Sequence, residues 1–278
     1  MTQSALTVDH LVIRVRDLDA TVDDLSALGF TVQRGGTHAD GVTHNALIGF
    51  ADGSYIELIA FLRPAPQRRW WSIGEQHGDG FVDFALLPGP GSVAATIEAA
   101  RVRGLSYDGP QDGGRMRPDG ERLAWQTGRP DTADLPFLCG DITPRRLRVP
   151  EGDVRRHANG VLGIASLAVA VRDLDVSTRR YRALLGIDTP VLSAPLPGFG
   201  ARATTFRVGA TALVLFEAPA SASADSALRR QLDTRGEGLF GVALDVGHEG
   251  DARVFDANRT HGAHIETVRT FTQSNGGG

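Results

Sequence analysis

The chain has 278 residues, of which 41% are hydrophobic and 22% are charged, as is usual for a globular protein. The length allows two domains, each with its own core. The net charge of −4 argues against nucleic-acid binding, which needs a basic face. All 29 residues counted as lysine or arginine are arginine, so lysine Schiff-base chemistry and a Walker-type phosphate loop are excluded. The single cysteine, Cys139, excludes an intramolecular disulfide and a multi-thiolate zinc site.

The start of the chain has neither the basic residues nor the apolar core of a signal peptide. No uncharged apolar run is long enough to cross a bilayer. We therefore expect a cytoplasmic protein that binds neither a membrane nor nucleic acid.

The first unit of the chain is predicted to have the element order βαβββ. Leu11, Ile13 and Val15 alternate with polar or smaller neighbours, which predicts a strand. Asp17 or Asp19 is expected to cap the helix that follows. The other strands of this unit are expected at residues 31–34, 44–50 and 54–61.

Three further units follow with weaker patterns, and the fourth is abbreviated. A helix is expected at 93–103 and a long loop or lid at 109–120. Residues 144–157 form the predicted interdomain linker, in which Arg145-Arg146 and Arg155-Arg156 are expected to be solvated. Residues 218–224 read as a small-residue loop and residues 276–278 as a disordered tail. The strands of these units are expected at residues 81–87, 122–127, 135–139, 167–171, 202–208, 212–217, 239–246 and 264–272.

The third unit nearly copies the first. The sequence Arg-Asp-Leu-Asp at residues 16–19 recurs at 172–175, and each copy is followed by a helical run that ends at Leu-Gly. A repeat of this kind indicates a fold assembled from copies of one unit. The copies differ where chemistry would lie, because Ser166 stands at the position of His10. We therefore expect the site in the first half and a structural or dimer-forming second half.

Five segments of the first unit resemble one known family: residues 9–13, 16–19, 28–30, 41–48 and 55–59. They are similar to the vicinal oxygen chelate superfamily, which has the glyoxalase and bleomycin-resistance fold, and most of all to its glyoxalase-like branch. The resemblance implies an α+β fold in which tandem βαβββ modules pair into two glyoxalase-like domains with cupped mixed sheets. The domains are predicted at residues 6–143 and 158–273.

Strand alternation places one set of polar side chains on the face opposite the helices. His10, Asn45, Tyr55 and Glu57 converge on this concave face, and Arg14 shares it. Burial of Glu57 among apolar neighbours is costly unless a metal, a hydrogen bond or a counter-charge compensates. We therefore take Tyr55 and Glu57 as candidate catalytic residues, and Asn45 and Arg14 as candidate substrate-binding residues.

The resembled family holds a divalent metal with a histidine of the first strand and a glutamate of the fourth, and His10 and Glu57 fall on those positions. Alignment of the first strands of units one and two puts Asp83 opposite His10, so Asp83 is the third candidate ligand, with a solvent-capped residue at the end of a strand as the alternative. The metal would be iron, manganese, zinc, nickel or copper. The family's second fourth-strand carboxylate should fall near residues 137–141, where this sequence has no glutamate. An alternative is that His10 and Glu57 only hydrogen-bond each other or Arg14.

Three other side chains near these strands have open roles. Trp70 is a candidate wall of a substrate pocket, with packing between units as the alternative. Parity places His44 on the helix side of its strand, where it is expected to be structural. Cys139 is expected to be a small buried residue.

These residues predict a metal-dependent lyase, isomerase or dioxygenase acting on a small molecule with adjacent oxygens. The metal would act as a Lewis acid, and Glu57 or Asp83 would move a proton. The alternative is a metal-free protein that binds or sequesters a small molecule, as resistance proteins do. A third reading is a scaffold or regulatory protein that uses its second half as an interface. The expected partners are a small-molecule substrate or ligand and a second copy of the chain.

Overall fold

The computed structural model describes residues 6–89, 92–117, 119–196, 200–218 and 226–270. Its first half contains, in chain order, β1 (Thr7–Arg14), α1 (Leu18–Ala27), β2 (Gln33–Thr37), β3 (Thr43–Gly49), β4 (Tyr55–Phe61), α2 (Arg69–His77), β5 (Gly80–Leu87), α3 (Val93–Val102), β6 (Tyr107–Met116), β7 (Arg122–Pro130), β8 (Phe137–Asp141) and α4 (Arg145–Arg148). The second half contains β9 (Gly163–Val171), α5 (Leu174–Leu185), β10 (Ser193–Leu196), β11 (Ala201–Val208), β12 (Thr211–Glu217), α6 (Ala227–Thr234), β13 (Gly238–Asp245), β14 (Arg253–Val254) and β15 (His264–Val268).

Each half forms one mixed sheet, in an α+β fold. The first sheet has eight strands in the order β2-β3-β4-β1-β5-β8-β7-β6, and the second has seven in the order β10-β11-β12-β9-β13-β15-β14. In the first sheet β1 runs parallel to β4 and antiparallel to β5, and β5 runs parallel to β8. The second sheet repeats this arrangement with β9, β12, β13 and β15. The predicted tandem modules are therefore confirmed.

Helices α1 and α3 pack on one face of the first sheet and α5 packs on the second sheet, while the other face of the first sheet is concave and contacts α2. Leu11, Ile13 and Val15 of the β1 segment lie in a hydrophobic core that includes residues of both halves. Val12, between them, belongs to a smaller cluster on the opposite face with Phe137. Strand alternation thus separates the packing face from the site face, as the sequence pattern predicts.

The predicted long loop at 109–120 is wrong, because Tyr107–Met116 forms strand β6 and pairs with β7. This strand lies at the edge of the sheet and many of its residues are exposed. Its consecutive residues 110–112 are all exposed, so neither face buries a regular set of apolar side chains and the sequence shows no alternation.

Two more predictions concern the segments between elements. The predicted linker at 144–157 contains helix α4, and the side chain of its Arg148 is buried. Most of the predicted loop at 218–224 and the whole tail at 276–278 lie outside the described residues. The domain limits 6–143 and 158–273 stay a prediction. No helix in the described ranges combines the length and the apolarity needed to cross a membrane.

Candidate functional site

The concave face of the first sheet encloses a cavity of about 660 Å³. This size suits a small organic molecule. The aromatic side chains of Trp70, Trp125 and Phe137 line it, and His10 and Glu57 line it between them. The four side chains that strand alternation predicts on this face, namely His10, Asn45, Tyr55 and Glu57, all line the cavity.

The imidazole of His10 is fixed on three sides. Its Nδ1 lies 2.7 Å from Oδ2 of Asp9, its ring stacks on Tyr55 at a centroid distance of 4.6 Å, and Phe137 contacts it edge-on. A carboxylate at Nδ1 favours the tautomer with the proton there, in which Nε2 carries the electron pair. That Nε2 lies 3.6 Å from Oε2 of Glu57. The free nitrogen of His10 and a buried carboxylate therefore face each other.

Glu57 is 7% exposed and has neighbours at both oxygens. Asn45 donates from Nδ2 to Oε1 at 2.6 Å. His38 approaches the same Oε1 with its Nε2 at 3.6 Å, while its Nδ1 hydrogen-bonds to the Thr43 hydroxyl at 2.8 Å. His38 is a site residue that the sequence reasoning missed.

The sequence does not predict the role of His38 because Gly35-Gly36, just before it, normally ends a strand. The pair Gly35-Gly36 is an ordinary strand breaker, but here both residues lie within β2. A Cβ on Gly35 would lie 2.0 Å from Oδ1 of Asn45, so the absence of a side chain makes room for the amide. The strand therefore continues past its glycines and carries His38 to the cavity.

Two arginines of α4 close the site behind His10. Arg148 donates to Asp9 from both terminal nitrogens at 2.9 and 3.2 Å, and Arg145 donates to it at 2.6 Å. Burial would raise the pKa of Asp9, but Arg148, His10 and Arg145 outweigh it and hold this pKa well below its usual range. The prediction that Arg145 is solvated is therefore wrong, because Arg145 pairs with the buried Asp9. Arg148 is a further site residue that the sequence reasoning missed.

Tyr55 is held in its neutral form. Its hydroxyl accepts a hydrogen bond of 2.6 Å from Arg148. Burial raises the pKa of Tyr55 well above its usual value, although Arg148 lowers it. In this arrangement Tyr55 packs against His10 and anchors Arg148, and its catalytic role stays a prediction.

The structure does not bring Asp83 to His10 and Glu57. In the pairing of β1 with β5, Ala85 lies opposite His10, and Asp83 lies opposite Val12. The Asp83 carboxylate accepts hydrogen bonds from Trp70 Nε1 at 3.0 Å and Arg69 at 3.2 Å. Burial raises the pKa of Asp83, against the lowering effect of Arg69 and Trp70.

Arg14 also lies apart from the predicted site. It is buried in ion pairs with Glu75 at 2.8 Å and Asp79 at 3.0 Å, and it does not line the cavity. Its expected role in substrate binding is not supported, because these two carboxylates draw the guanidinium towards the end of α2. Trp70, by contrast, does line the cavity.

Two sets of donor atoms are candidates for holding a metal ion. In the described residues, one group of three ligating side chains has its donor atoms within 4.8 Å of one another: Asp9, His10 and Cys139. This group suits a cation poorly, because two arginines already pair with Asp9 and burial raises the pKa of the Cys139 thiol far above its usual value. The atoms His10 Nε2 and Glu57 Oε2 fit better. Two ligands at about 2.0–2.2 Å from one ion lie roughly 3–3.5 Å apart, close to the separation seen here.

The second sheet lacks this chemistry at the matching positions. The register of β9 with β12 places Ser166 opposite Ala212 and Ala168 opposite Val214. In the first sheet the corresponding pairs are His10 with Tyr55 and Val12 with Glu57. Small or apolar residues therefore replace the polar set, although the backbone pairing is the same.

A family model described as a glyoxalase-like domain matches residues 8–185. The chain belongs to the glyoxalase-like domain family. The match covers β1 to α5, and so includes every side chain of the candidate site. No curated protein matches the chain.

Solved structures share the fold of this glyoxalase-like protein. A hypothetical protein from Staphylococcus aureus matches with a TM-score of 0.69 and 13% identity, over 95% of this chain and 100% of that one. A mutant of 4-hydroxymandelate synthase from Streptomyces coelicolor matches with a TM-score of 0.62 and 15% identity, over 89% and 72%. A fusion of a xylose isomerase-like TIM barrel with a 4-hydroxyphenylpyruvate dioxygenase matches with a TM-score of 0.53 and 20% identity, over 87% and 37%. Together with the family match, these folds place the chain in the vicinal oxygen chelate superfamily.

Proposed function

We propose that the protein is an enzyme that binds a small molecule with adjacent oxygens over His10 and Glu57. The observation that carries this proposal is the imidazole of His10, which Asp9 holds from behind and whose free Nε2 faces a buried carboxylate. A structural histidine gains nothing from a free nitrogen that points into a cavity. The dioxygenase named among the solved structures supports an enzyme of this superfamily.

His10 and Glu57 are the residues that would hold a divalent metal. Iron, manganese, zinc, nickel and copper all suit a site of imidazole and carboxylate. When bound, such an ion supplies Lewis acidity to the oxygens of a substrate.

Side chains in and around the cavity have the other roles in the proposed reaction. Asp9 keeps the proton of His10 on Nδ1, and Asn45 keeps Glu57 oriented through Oε1. Glu57 would accept or return a proton next to the bound oxygens once its Oε2 leaves the metal, which suits a lyase or an isomerase. Trp70, Trp125 and Phe137 restrict water around the substrate.

Metal uptake tests this proposal. Untagged wild-type protein, purified and then incubated with each of the five metals, is expected to retain about one equivalent per chain by elemental analysis. The variants His10→Ala and Glu57→Gln should lose it, while Asp83→Asn, a matched change of a carboxylate that lines the same cavity, should keep it. Wild-type protein that binds none of the metals would contradict the metal-dependent enzyme.

One observation favours the alternative of a metal-free binding protein. Glu57 already accepts a hydrogen bond of 2.6 Å, and the strand β8 offers no second glutamate. If wild-type protein stays free of metal, ligand-induced shifts in Tm across a panel of small molecules become the measurement that identifies its ligand.

A further inference from the structure

Arg115 differs from the other arginines buried in the described part of the chain. Arg14, Arg115 and Arg148 are each at most 4% exposed. Arg14 pairs with Glu75 and Asp79, and Arg148 pairs with Asp9 and Asp141. Arg115 instead donates to two backbone carbonyls, those of Gly35 and, at 3.2 Å, Arg148. Among the described residues it forms no ion pair with a carboxylate.

An arginine buried without a counter-ion is expensive, because burial removes its hydration. Burial lowers the pKa of Arg115, while the negative charge of Glu57 raises it. A guanidinium nevertheless stays charged at neutral pH. Glu57 relieves this cost only in part, because its oxygens face Asn45, His10 and His38.

Arg115 lines the large cavity beside Glu57, and also a smaller cavity of about 300 Å³ behind it. In the smaller cavity Arg34 and Arg117 already have carboxylate partners, Asp19 and Asp119. The large cavity holds the candidate site and has about twice the volume, so we take it as the source of the missing negative charge.

We infer that the substrate is a small organic anion whose carboxylate or phosphate group pairs with Arg115. This inference rests on the proposed use of the large cavity for a small-molecule substrate. Arg115 would then select anionic over neutral molecules, whichever reaction takes place at Glu57. A planar guanidinium with two nitrogens already fixed by carbonyls is also preorganised for an oxyanion.

The test uses benzoate, phenyl phosphate and benzamide, the last being a neutral analogue of benzoate. Isothermal titration calorimetry of the wild-type protein should show that one of the two anions binds at least about tenfold tighter than benzamide, as expected for a charge-assisted hydrogen bond. Whether benzoate or phenyl phosphate binds more tightly distinguishes a carboxylate from a phosphate substrate.

Three variants locate the contact. Arg115→Met should abolish the preference for the anion without weakening benzamide, and Arg115→Lys should retain part of it because the charge remains. Arg117→Met is the control, since Arg117 lines only the smaller cavity. Loss of the preference in Arg117→Met would move the anion to that cavity and overturn the assignment. Circular dichroism confirms that each variant is folded.

Other outcomes also overturn the inference. They are a wild-type affinity for both benzoate and phenyl phosphate that is no greater than that for benzamide, an unchanged preference in Arg115→Met, or no anion binding at about 10 mM, well above a millimolar Kd. The titrations are done in EDTA and again with manganese. If the protein takes up no metal but keeps its preference for the anion, the metal-dependent enzyme is contradicted and the role of Arg115 stands. If it takes up metal but shows no preference for the anion, the role of Arg115 is contradicted and the metal-dependent enzyme stands.

Discussion

At the scale of single residues, Asp9 organises the site although its side chain does not line the cavity. It is fully buried and serves His10, Arg145 and Arg148 together. Removal of one partner of a buried ion pair leaves the other charge uncompensated. Asp9 therefore couples the stability of the fold to the orientation of His10.

The variant Asp9→Asn is expected to lower the free energy of unfolding by about 3–5 kcal/mol at pH 7. Because the folded pKa of Asp9 lies well below its unfolded value of about 3.9, its stabilising effect is present above that pH and is lost as the pH falls below it. The difference between wild type and variant in the free energy of urea unfolding should therefore be smaller at pH 3 than at pH 5. These two pH values lie about one unit below and above the unfolded pKa of Asp9. The exposed Asp23→Asn serves as the control. A difference independent of pH would show that the charge of Asp9 is not what stabilises the fold.

The sequence predicts part of this site because strand alternation is a local property. His10, Asn45, Tyr55 and Glu57 needed only the period of their own strands. Arg148 could not be found in this way, because its contact with Asp9 spans 139 residues and comes from a four-residue helix. An aspartate within an apolar strand was the available signal that a cationic partner had to exist.

At the scale of elements, the repeated Arg-Asp-Leu-Asp sequence explains how two helices begin. Asp17 accepts from the backbone nitrogen of Ala20 at 3.0 Å, and Asp173 accepts from that of Val176 at 2.9 Å. Of the two capping residues that the sequence allows in the first copy, Asp17 is the one that caps α1. Each helix starts at the equivalent residue because each copy supplies the same cap.

The variants Asp17→Ala and Asp173→Ala are each expected to lower the free energy of unfolding by about 1 kcal/mol, the usual effect of losing an N-cap. The matched changes Asp19→Ala and Asp175→Ala remove exposed ion pairs with arginines and a negative charge in the first helical turn, so they should have smaller effects than loss of the cap. Urea unfolding of the four variants checks this. Equal losses at the capping and the matched positions would contradict the assignment of the caps.

Element boundaries were the weaker part of what the sequence could predict. In strands β1, β3 and β4 apolar residues alternate between the two faces. By contrast, β6 is an exposed edge strand, and α2 begins with no side-chain cap. An element that does not pack against the core has no periodic pattern of apolar residues, so the sequence does not predict its boundaries.

At the scale of the whole molecule, the two halves share one core. The rings of Phe30 and Phe255 lie 5.5 Å apart, and the fully buried Asp134 of the first half accepts hydrogen bonds from Ser177 at 2.6 Å and Arg180 at 3.2 Å. Tyr181 donates to the backbone oxygen of Asp134 at 2.7 Å. Contacts of this density across the junction should make the halves unfold together.

Differential scanning calorimetry is expected to show a single unfolding transition for the wild-type protein. Asp134→Ala should lower the Tm of that transition, at a cost of about 2–4 kcal/mol, because Ser177 and Arg180 lose a buried partner. The exposed Asp153→Ala should leave Tm nearly unchanged. Two separate transitions in the wild-type protein would contradict the shared core.

The matching registers of β1 with β4 and of β9 with β12 have an evolutionary consequence. The need to fold constrains the sequence of both copies. Only the copy with His10 and Glu57 is also constrained by the proposed chemistry. Ser166 and Val214, at the equivalent positions of the second copy, are free of that second constraint. The second half is therefore the place where this duplicated fold can gain a new ligand by mutation without losing the reaction of the first.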